Sequence, residues 1–439
     1  MRRIARALLA ASGAAACVAW GFFAHRNHIF PYRLARSTYE KLAPAHRPPR
    51  FRPGRRGDGV SPEALEKLAQ LPYLTGYRPA GVRVYDPALA QNGWNLVSSG
   101  HAPVVTLMGM DGSVVKTWTF DAGKIFPGLA LTGDDVERDR FVRFSTLLPD
   151  GGLLALMDQI GLVRLDAAGR VAWAYRRRLH HWVTVADNGN IWVLSRQTRP
   201  AADLGKEGEI WEDFAEELSP EGRLLRRISL LEALRRSAYA PFLTRPLEEK
   251  DIFHTNSLQV LDGTLSDRSP AFRKGNLLVS LHNLDVLAIL DPEAKTIVWA
   301  LTGQWRAQHS VRLLPTGHLI LFDNLGTMRA ASRALEVDPF TQQIAWSFGG
   351  RPGEGLLSET NGRVQRLPGG NTVVIESNFG RALEATPDGS VVWEWVNPNR
   401  SGKKKELIAT LYDLERVLQL PDALRASAGP SVSQASPPR

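Results

Sequence analysis

Cysteine is almost missing from this chain: 439 residues hold only Cys17. No disulfide can form within it, and no thiolate nucleophile or cysteine-built metal site can lie beyond the first few residues. Stability must therefore come from packing. No nucleic-acid motif occurs either. The formal charge of +9 gathers partly at the ends, in Arg2, Arg3 and Arg6, in Arg47, Arg50, Arg52, Arg55 and Arg56, and in Lys403 to Lys405. It reads as a solvated basic linker beside an anionic membrane rather than as a nucleic-acid surface. A hydrophobic share of 44% and a charged share of 23% belong to a folded globular protein.

Long apolar runs are scarce as well. Ala7 to Ala24 is uncharged, mostly apolar, preceded by arginines and followed by His25 and Arg26. It sits at the lower limit for a bilayer span. The arginines before it favour a cytoplasmic N-terminus with the remainder carried across. A cleaved signal peptide is the competing reading, since Ala14-Ala15-Ala16 suits a peptidase. Cys17 follows those alanines but lacks the Leu or Val that lipidation needs three residues earlier. The expectation is a membrane anchor over 1–30, a single pass of the inner membrane with the bulk in the periplasm. A basic Pro/Gly-rich linker with a short helix at Ser61–Leu68 follows over 31–80, and a Ser/Pro/Ala-rich disordered tail over 425–439.

Between these ends the chain repeats. Turns recur at Leu148-Pro149-Asp150-Gly151, Ala186-Asp187-Asn188-Gly189, Leu261-Asp262-Gly263, Leu314-Pro315-Thr316-Gly317 and Leu367-Pro368-Gly369-Gly370. A second series pairs a tight turn with an alternating strand that often ends in Trp: Trp118, Trp173, Trp299, Trp346 and Trp393, with a copy near Ile228 that lacks it. Copies about 50 residues apart predict four-stranded blades. The reading is all-β, a six-bladed propeller over 81–424, with an inserted helix at Ser229 to Phe242.

In a propeller the start of each inner strand opens onto one mouth of the central channel. Six residues before Pro149, Asp187, Asp262, Pro315 and Pro368 of these turns stand Arg143, His181, Asn256, His309 and Gly362. His254 is two residues from Asn256, which strand alternation would put on the same face. His282 is on the next strand of that blade. Several histidines could bind a metal, but the matched positions hold no carboxylate, and no pair has HxH or HxxxH spacing. Imidazole, amide and guanidinium donors suit a tetrahedral oxyanion better. A neutral imidazole among them could attack. No metal and no cofactor is expected.

Taken together, Asp251-Ile252-Phe253-His254-Thr255-Asn256-Ser257, Ser280-Leu281-His282-Asn283, Gln308-His309-Ser310 and Leu319-Ile320-Leu321-Phe322-Asp323-Asn324 resemble the bacterial arylsulfate sulfotransferases. That family comprises exported six-bladed propellers that move a sulfuryl group between phenols without a nucleotide donor. The resemblance spans most of 85–400. It implies His309 as a nucleophile passing through sulfohistidine, His254 and Asn256 as holders of sulfuryl oxygens, and His181 as the family's earlier-blade histidine. An aryl sulfate and a phenol would be the partners, and His254 or another histidine of the mouth would give general-acid help to the leaving phenolate. The chain departs from the family where an arginine is expected and His282 stands. Arginine is a permanent bidentate cation and histidine is not, so Arg143 or Arg306 would have to supply the charge. A threonine of the family pattern has only Thr360 and Ser377 as candidates here. The competing readings are a non-catalytic anchored propeller that binds an anionic ligand, glycan or protein, and a metal-dependent hydrolase or lyase at the same histidines.

Overall fold

The computed structural model describes residues 80–129, 141–205, 207–244, 250–326, 331–350, 355–401 and 407–425. The chain divides into two compact units, 1–64 and 65–439. The expected anchor, the Ser61–Leu68 helix and the tail beyond Arg425 fall outside the described residues. Among the described residues no helix is long and apolar enough to cross a membrane.

Six antiparallel blades make up the second unit. Blade 2 runs Val142–Leu147, Leu153–Met157, Gly161–Leu165 and Val171–Arg176 from inner to outer strand. Blade 3 runs Leu179–Val185, Ile191–Pro200, Glu209–Leu218 and Leu224–Ser229. Blade 4 runs Thr255–Val260, Leu277–Leu281, Val286–Asp291 and Thr296–Thr302. Blade 5 runs His309–Leu313, Leu319–Asp323, Arg333–Val337 and Ile344–Gly349. Blade 6 runs Arg363–Arg366, Thr372–Glu376, Arg381–Ala385 and Val391–Val396, and Gly81–Tyr85 joins its outer edge as a fifth strand. Blade 1 is stitched from both ends of the chain: Leu411–Val417 is its inner strand, beside Trp94–Ser99, Val104–Met108 and Val114–Thr119. Pairing the two ends closes the ring without leaving an open inner edge.

The recurring turn is one structure used repeatedly. At Gly151, Gly189, Gly317 and Gly370 the amide donates to Leu148, Ala186, Leu314 and Leu367 respectively, each at 2.9 Å. All four glycines take φ between +82° and +92°, the left-handed region where a Cβ is costly. The Leu261 turn departs from this pattern. There Gly275 donates to the Leu261 carbonyl at 2.9 Å, because residues 264–274 loop out before the second strand begins.

The repeated tryptophans join the blades. Trp173 Nε1 donates to the Pro220 carbonyl at 3.0 Å, Trp346 Nε1 to Pro387 at 2.9 Å and Trp393 Nε1 to Met110 at 2.8 Å. Each bond runs from an outer strand to a turn of the following blade. Trp299 meets Phe272 with ring centres 5.2 Å apart, and Phe272 meets Phe340 at 5.4 Å. Blade 3 lacks the tryptophan, and a short helix, Leu230–Arg235, takes its place. Ser229 caps that helix by accepting from the Glu232 amide, and Thr296 Oγ1 of blade 4 reaches the Ala233 carbonyl at 3.5 Å. Its apolar side, Leu230, Leu231, Ala233 and Leu234, is fully buried. The core as a whole lies between the blades, in Leu, Val, Ile and Ala side chains of their middle strands.

Candidate functional site

Four inner strands begin with an irregularity that sets their first side chains. Register breaks between Val142 and Phe144, between Val193 and Leu194 opposite Val183 and His180, between Thr255 and Leu258, and between His309 and Arg312. Bulges re-aim side chains at the rim of a sheet. The backbone is left-handed at His181 (φ +61°), His254 (φ +49°), Ser310 (φ +57°) and Asn361 (φ +58°), an uncommon and mildly strained state for residues other than glycine. Simple alternation therefore does not bring His254 and Asn256 to the site. His254 lies on the turn before the bulged strand that carries Asn256.

Four imidazoles close a ring. Their centres lie 4.8 Å apart for His181 and His254, 5.0 Å for His254 and His282, 4.9 Å for His282 and His309, and 6.3 Å for His309 and His181. Each ring is held by its Nδ1. His309 Nδ1 meets Asn324 Oδ1 at 2.7 Å, His282 Nδ1 meets Asn283 Oδ1 at 2.7 Å, His254 Nδ1 meets Asp251 Oδ2 at 2.6 Å and His181 Nδ1 meets His180 Nδ1 at 3.0 Å. Holding one ring nitrogen fixes which of the two carries the proton.

At His309 the assignment follows from its neighbours. Asn324 is fully buried, and its Nδ2 donates to the carbonyls of Ser358 and Asn361. The amide can be oriented only one way, so Oδ1 is the acceptor and His309 Nδ1 carries the hydrogen. The Ala307 carbonyl, 3.1 Å from the same nitrogen, agrees. Nε2 is left as a bare lone pair, and no group among the described residues bonds to it. Burial holds His309 well below the ordinary imidazole range, and the nearby His282 adds to the effect. His181 is lowered likewise, by burial and then by Arg143. His282 is pushed down to about 3 by burial and by His254.

His181 and His309 line a pocket of about 340 Å³, counting its open mouth, with Arg143, Asn256, Asn361 and Tyr412. Arg143 Nη1 pairs with Asp158 at 2.7 Å, Nη2 donates to Asn361 Oδ1 at 2.6 Å, and the guanidinium sits 5.5 Å from the Tyr412 ring centre. Asn256 Nδ2 donates to the Gln308 carbonyl at 2.8 Å, while its buried Oδ1 has no partner among the described residues. Phe144, Trp182, Arg363 and Asp413 also line the pocket; Arg363 pairs with Asp413 and lies over Phe144 and Trp182. Among the described residues no cluster of three or more His, Asp or Glu side chains has the arrangement to hold a metal ion.

The structure thus brings Arg143, His181, Asn256 and His309 to one pocket, with His254 and His282 closing the imidazole ring beside it. Arg306 is not among them. Its side chain is 49% exposed and pairs with Asp285 at 3.6 Å, away from the pocket lining. Gly362 serves by its lack of a side chain: φ is +101°, and a Cβ there would come within 2.3 Å of the Phe322 ring. Ser377 Oγ is buried and accepts from the Gly362 amide at 2.9 Å, and Thr360 is exposed against Asn378. Sequence reasoning missed Asn324 as the partner of His309, although it stands within the quoted Phe322-Asp323-Asn324 motif. Tyr412 and Asp413 were missed because the closing strand carries no repeat signature.

The profile of the Arylsulfotransferase (ASST) family matches residues 146–398, more than half of the chain. This protein belongs to that family, and the match supports an arylsulfotransferase-like function. No curated protein matches the chain. Among solved structures it is similar to a protein of unknown function from Bacteroides caccae, at 12% identity over 75% of this chain and 100% of that one, with a TM-score of 0.47. It is also similar to a catalytically inactive virginiamycin B lyase from Staphylococcus aureus with quinupristin, at 12% identity over 72% and 84%, TM-score 0.41. The WD40 propeller domain of Doa1 matches at 10% identity over 79% and 99%, TM-score 0.42. Likenesses at this level bear on neither substrate nor mechanism.

Proposed function

We propose that the protein moves a sulfuryl group from a phenolic sulfate ester to a phenolic acceptor in two displacements at His309. The observation that carries this reading is the Asn324 bond that leaves His309 Nε2 unprotonated and unpartnered beside Arg143 and Asn256. In the first displacement Nε2 attacks sulfur, the sulfur–oxygen bond to the donor phenol breaks, and the phenolate departs from an N-sulfohistidine. In the second, the acceptor's oxygen attacks sulfur and the electron pair of the breaking S–N bond returns to Nε2.

Arg143 and the second amide hydrogen of Asn256 hold the sulfuryl oxygens, and Arg143 takes over the charge that the family places where His282 stands. His254, fixed by Asp251, and His282 support the ring on its other side. A histidine at the mouth protonates the leaving phenolate and deprotonates the incoming phenol. The apolar segment 7–24 anchors the protein to the inner membrane, with the propeller on the periplasmic side.

A non-catalytic reading draws no support from the recurring tryptophans, because they are used up in blade-to-blade contacts. The test is turnover of p-nitrophenyl sulfate with phenol as acceptor. His309→Ala should abolish it, by at least about 10³-fold. Full activity in that variant would remove His309 as nucleophile. A wild type that binds aryl sulfate without turnover would favour the binding reading.

A further inference from the structure

His180 lies next to His181, fully buried, and the reaction just described gives it no part. In a regular strand these two side chains would point to opposite faces. The bulge and the left-handed backbone at His181 instead bring the two Nδ1 atoms to 3.0 Å. One must donate and the other accept. His180 Nε2 stands 3.5 Å from Asp213 Oδ1, and neither atom has another hydrogen-bond partner among the described residues. A ring nitrogen facing a buried carboxylate carries the hydrogen, because two opposed lone pairs would repel. His180 Nδ1 is then the acceptor, His181 Nδ1 the donor, and His181 Nε2 a bare lone pair. That last atom is buried without a partner among the described residues, in a ring that lines the pocket.

We infer that His180 is a positioning residue that draws the phenol's proton out of the pocket through His181, in a file running phenol, His181, His180 and Asp213. This rests on the sulfuryl-transfer reading above. As the acceptor's oxygen bonds to sulfur and the S–N bond to His309 breaks, the phenol proton passes to His181 Nε2. The proton on His181 Nδ1 passes to His180 Nδ1. His180 becomes an imidazolium against the Asp213 carboxylate. When the next donor reacts, the same protons move back and neutralise the departing phenolate.

The surroundings fit a transient store rather than a resting charge. Arg143 and Asp158 face the pair from blade 2, Arg196 and Asp213 from blade 3, Asp251 and His254 from blade 4, and His309 from blade 5. Burial and Arg196 disfavour a cation on His180, while Asp213 and Asp158 favour one. Arg196, only 4% exposed, reaches both Asp213 at 3.4 Å and Asp251 at 3.3 Å, and so ties the file to the carboxylate that holds His254.

The experiment uses the full-length protein with His180→Asn, whose Oδ1 can accept from His181 Nδ1 but cannot carry a proton onward. The nitrophenolate burst from p-nitrophenyl sulfate should slow by less than about threefold, since that leaving group needs little help. Transfer to phenol at neutral pH should fall by about 100-fold. It should recover as the pH nears the phenol's own pKa of about 10, where the acceptor arrives as phenolate. In the wild type, transfer to phenol should give a bowed proton inventory in mixed light and heavy water, because two protons move together. Phenol transfer at the wild-type rate, a burst slowed as much as the transfer, or a straight inventory would each overturn the file. A wild type that forms no sulfuryl adduct would overturn the underlying reaction, a different result from any of these.

Discussion

Replacing Asn324 by alanine separates the fold from the chemistry at the residue that orients His309. Its amide nitrogen serves the carbonyls of Ser358 and Asn361, and its oxygen serves His309 Nδ1. Truncation takes the shorter of two acceptors from His309 Nδ1, which keeps the Ala307 carbonyl at 3.1 Å, and leaves the Ser358 carbonyl only Ser332 Oγ at 3.2 Å; the half-buried Asn361 carbonyl loses the Asn324 bond outright. At about 1–3 kcal/mol for a buried unsatisfied group, with one acceptor unpaired and two groups left with their longer bonds, the loss of stability should be roughly 1–3 kcal/mol, read as a drop in melting temperature. The kinetic effect should be separate. With only the longer Ala307 bond left on Nδ1, the imidazole can turn and place its hydrogen on Nε2 more often, and losing such an orienting partner costs about 10- to 100-fold. Rapid mixing with p-nitrophenyl sulfate at a temperature where the variant is folded isolates the first displacement. Its burst should slow by that factor with little change in donor affinity. A folded Asn324→Ala protein with a wild-type burst rate would refute the tautomer argument.

Further expectations follow from the same geometry. Arg143→Met should raise KM for aryl sulfates by about tenfold or more, whereas Arg306→Gln, at a half-exposed pair with Asp285, should leave kcat and KM within about twofold. The burst rate should stay flat as the pH falls through 6.5, where an ordinary histidine would be half protonated, because the lowered His309 remains neutral. Stability, by contrast, should fall with acid. His282 binds its proton in the unfolded chain near 6.5 but in the folded chain only near about 3. Its contribution is therefore complete above 6.5 and lost between those values. By pH 5 about 2 kcal/mol would be gone at this residue alone, measurable by urea melts at pH 7 and 5. Equal stability at both would contradict the buried neutral ring. Gly362→Ala should destabilise by roughly 2–4 kcal/mol, since it combines a left-handed backbone with a clash against Phe322; an unchanged melt would contradict that close approach.

The architecture was legible because its signals are local. Glycines such as Gly151 and Gly317 sit where the backbone must be left-handed, and Trp173 and Trp346 recur because every blade needs an anchor on the next. The convergence of Arg143, His181, Asn256 and His309 followed from the same spacing. Several features were not legible. Leu411–Val417 closes blade 1 without a turn of the repeat, so Tyr412 and Asp413 gave no sign of lining the pocket. Bulges depend on the pairing of strands and leave little trace in one strand's sequence, so alternation misassigned how His254 and Asn256 come together. Arg306 is near His309 in sequence, but its backbone amide bonds to Asp323 and its side chain turns to Asp285.

The central claim is that one nitrogen, Nε2 of His309, becomes covalently sulfated. Incubation of the wild type with an aryl sulfate and no acceptor, then a rapid alkaline quench and peptide mapping, tests it directly. An added mass of about 80 Da, for SO3, on the peptide carrying His309 and released by phenol is the predicted result. The same mass on another residue, or no adduct while turnover proceeds, would contradict it.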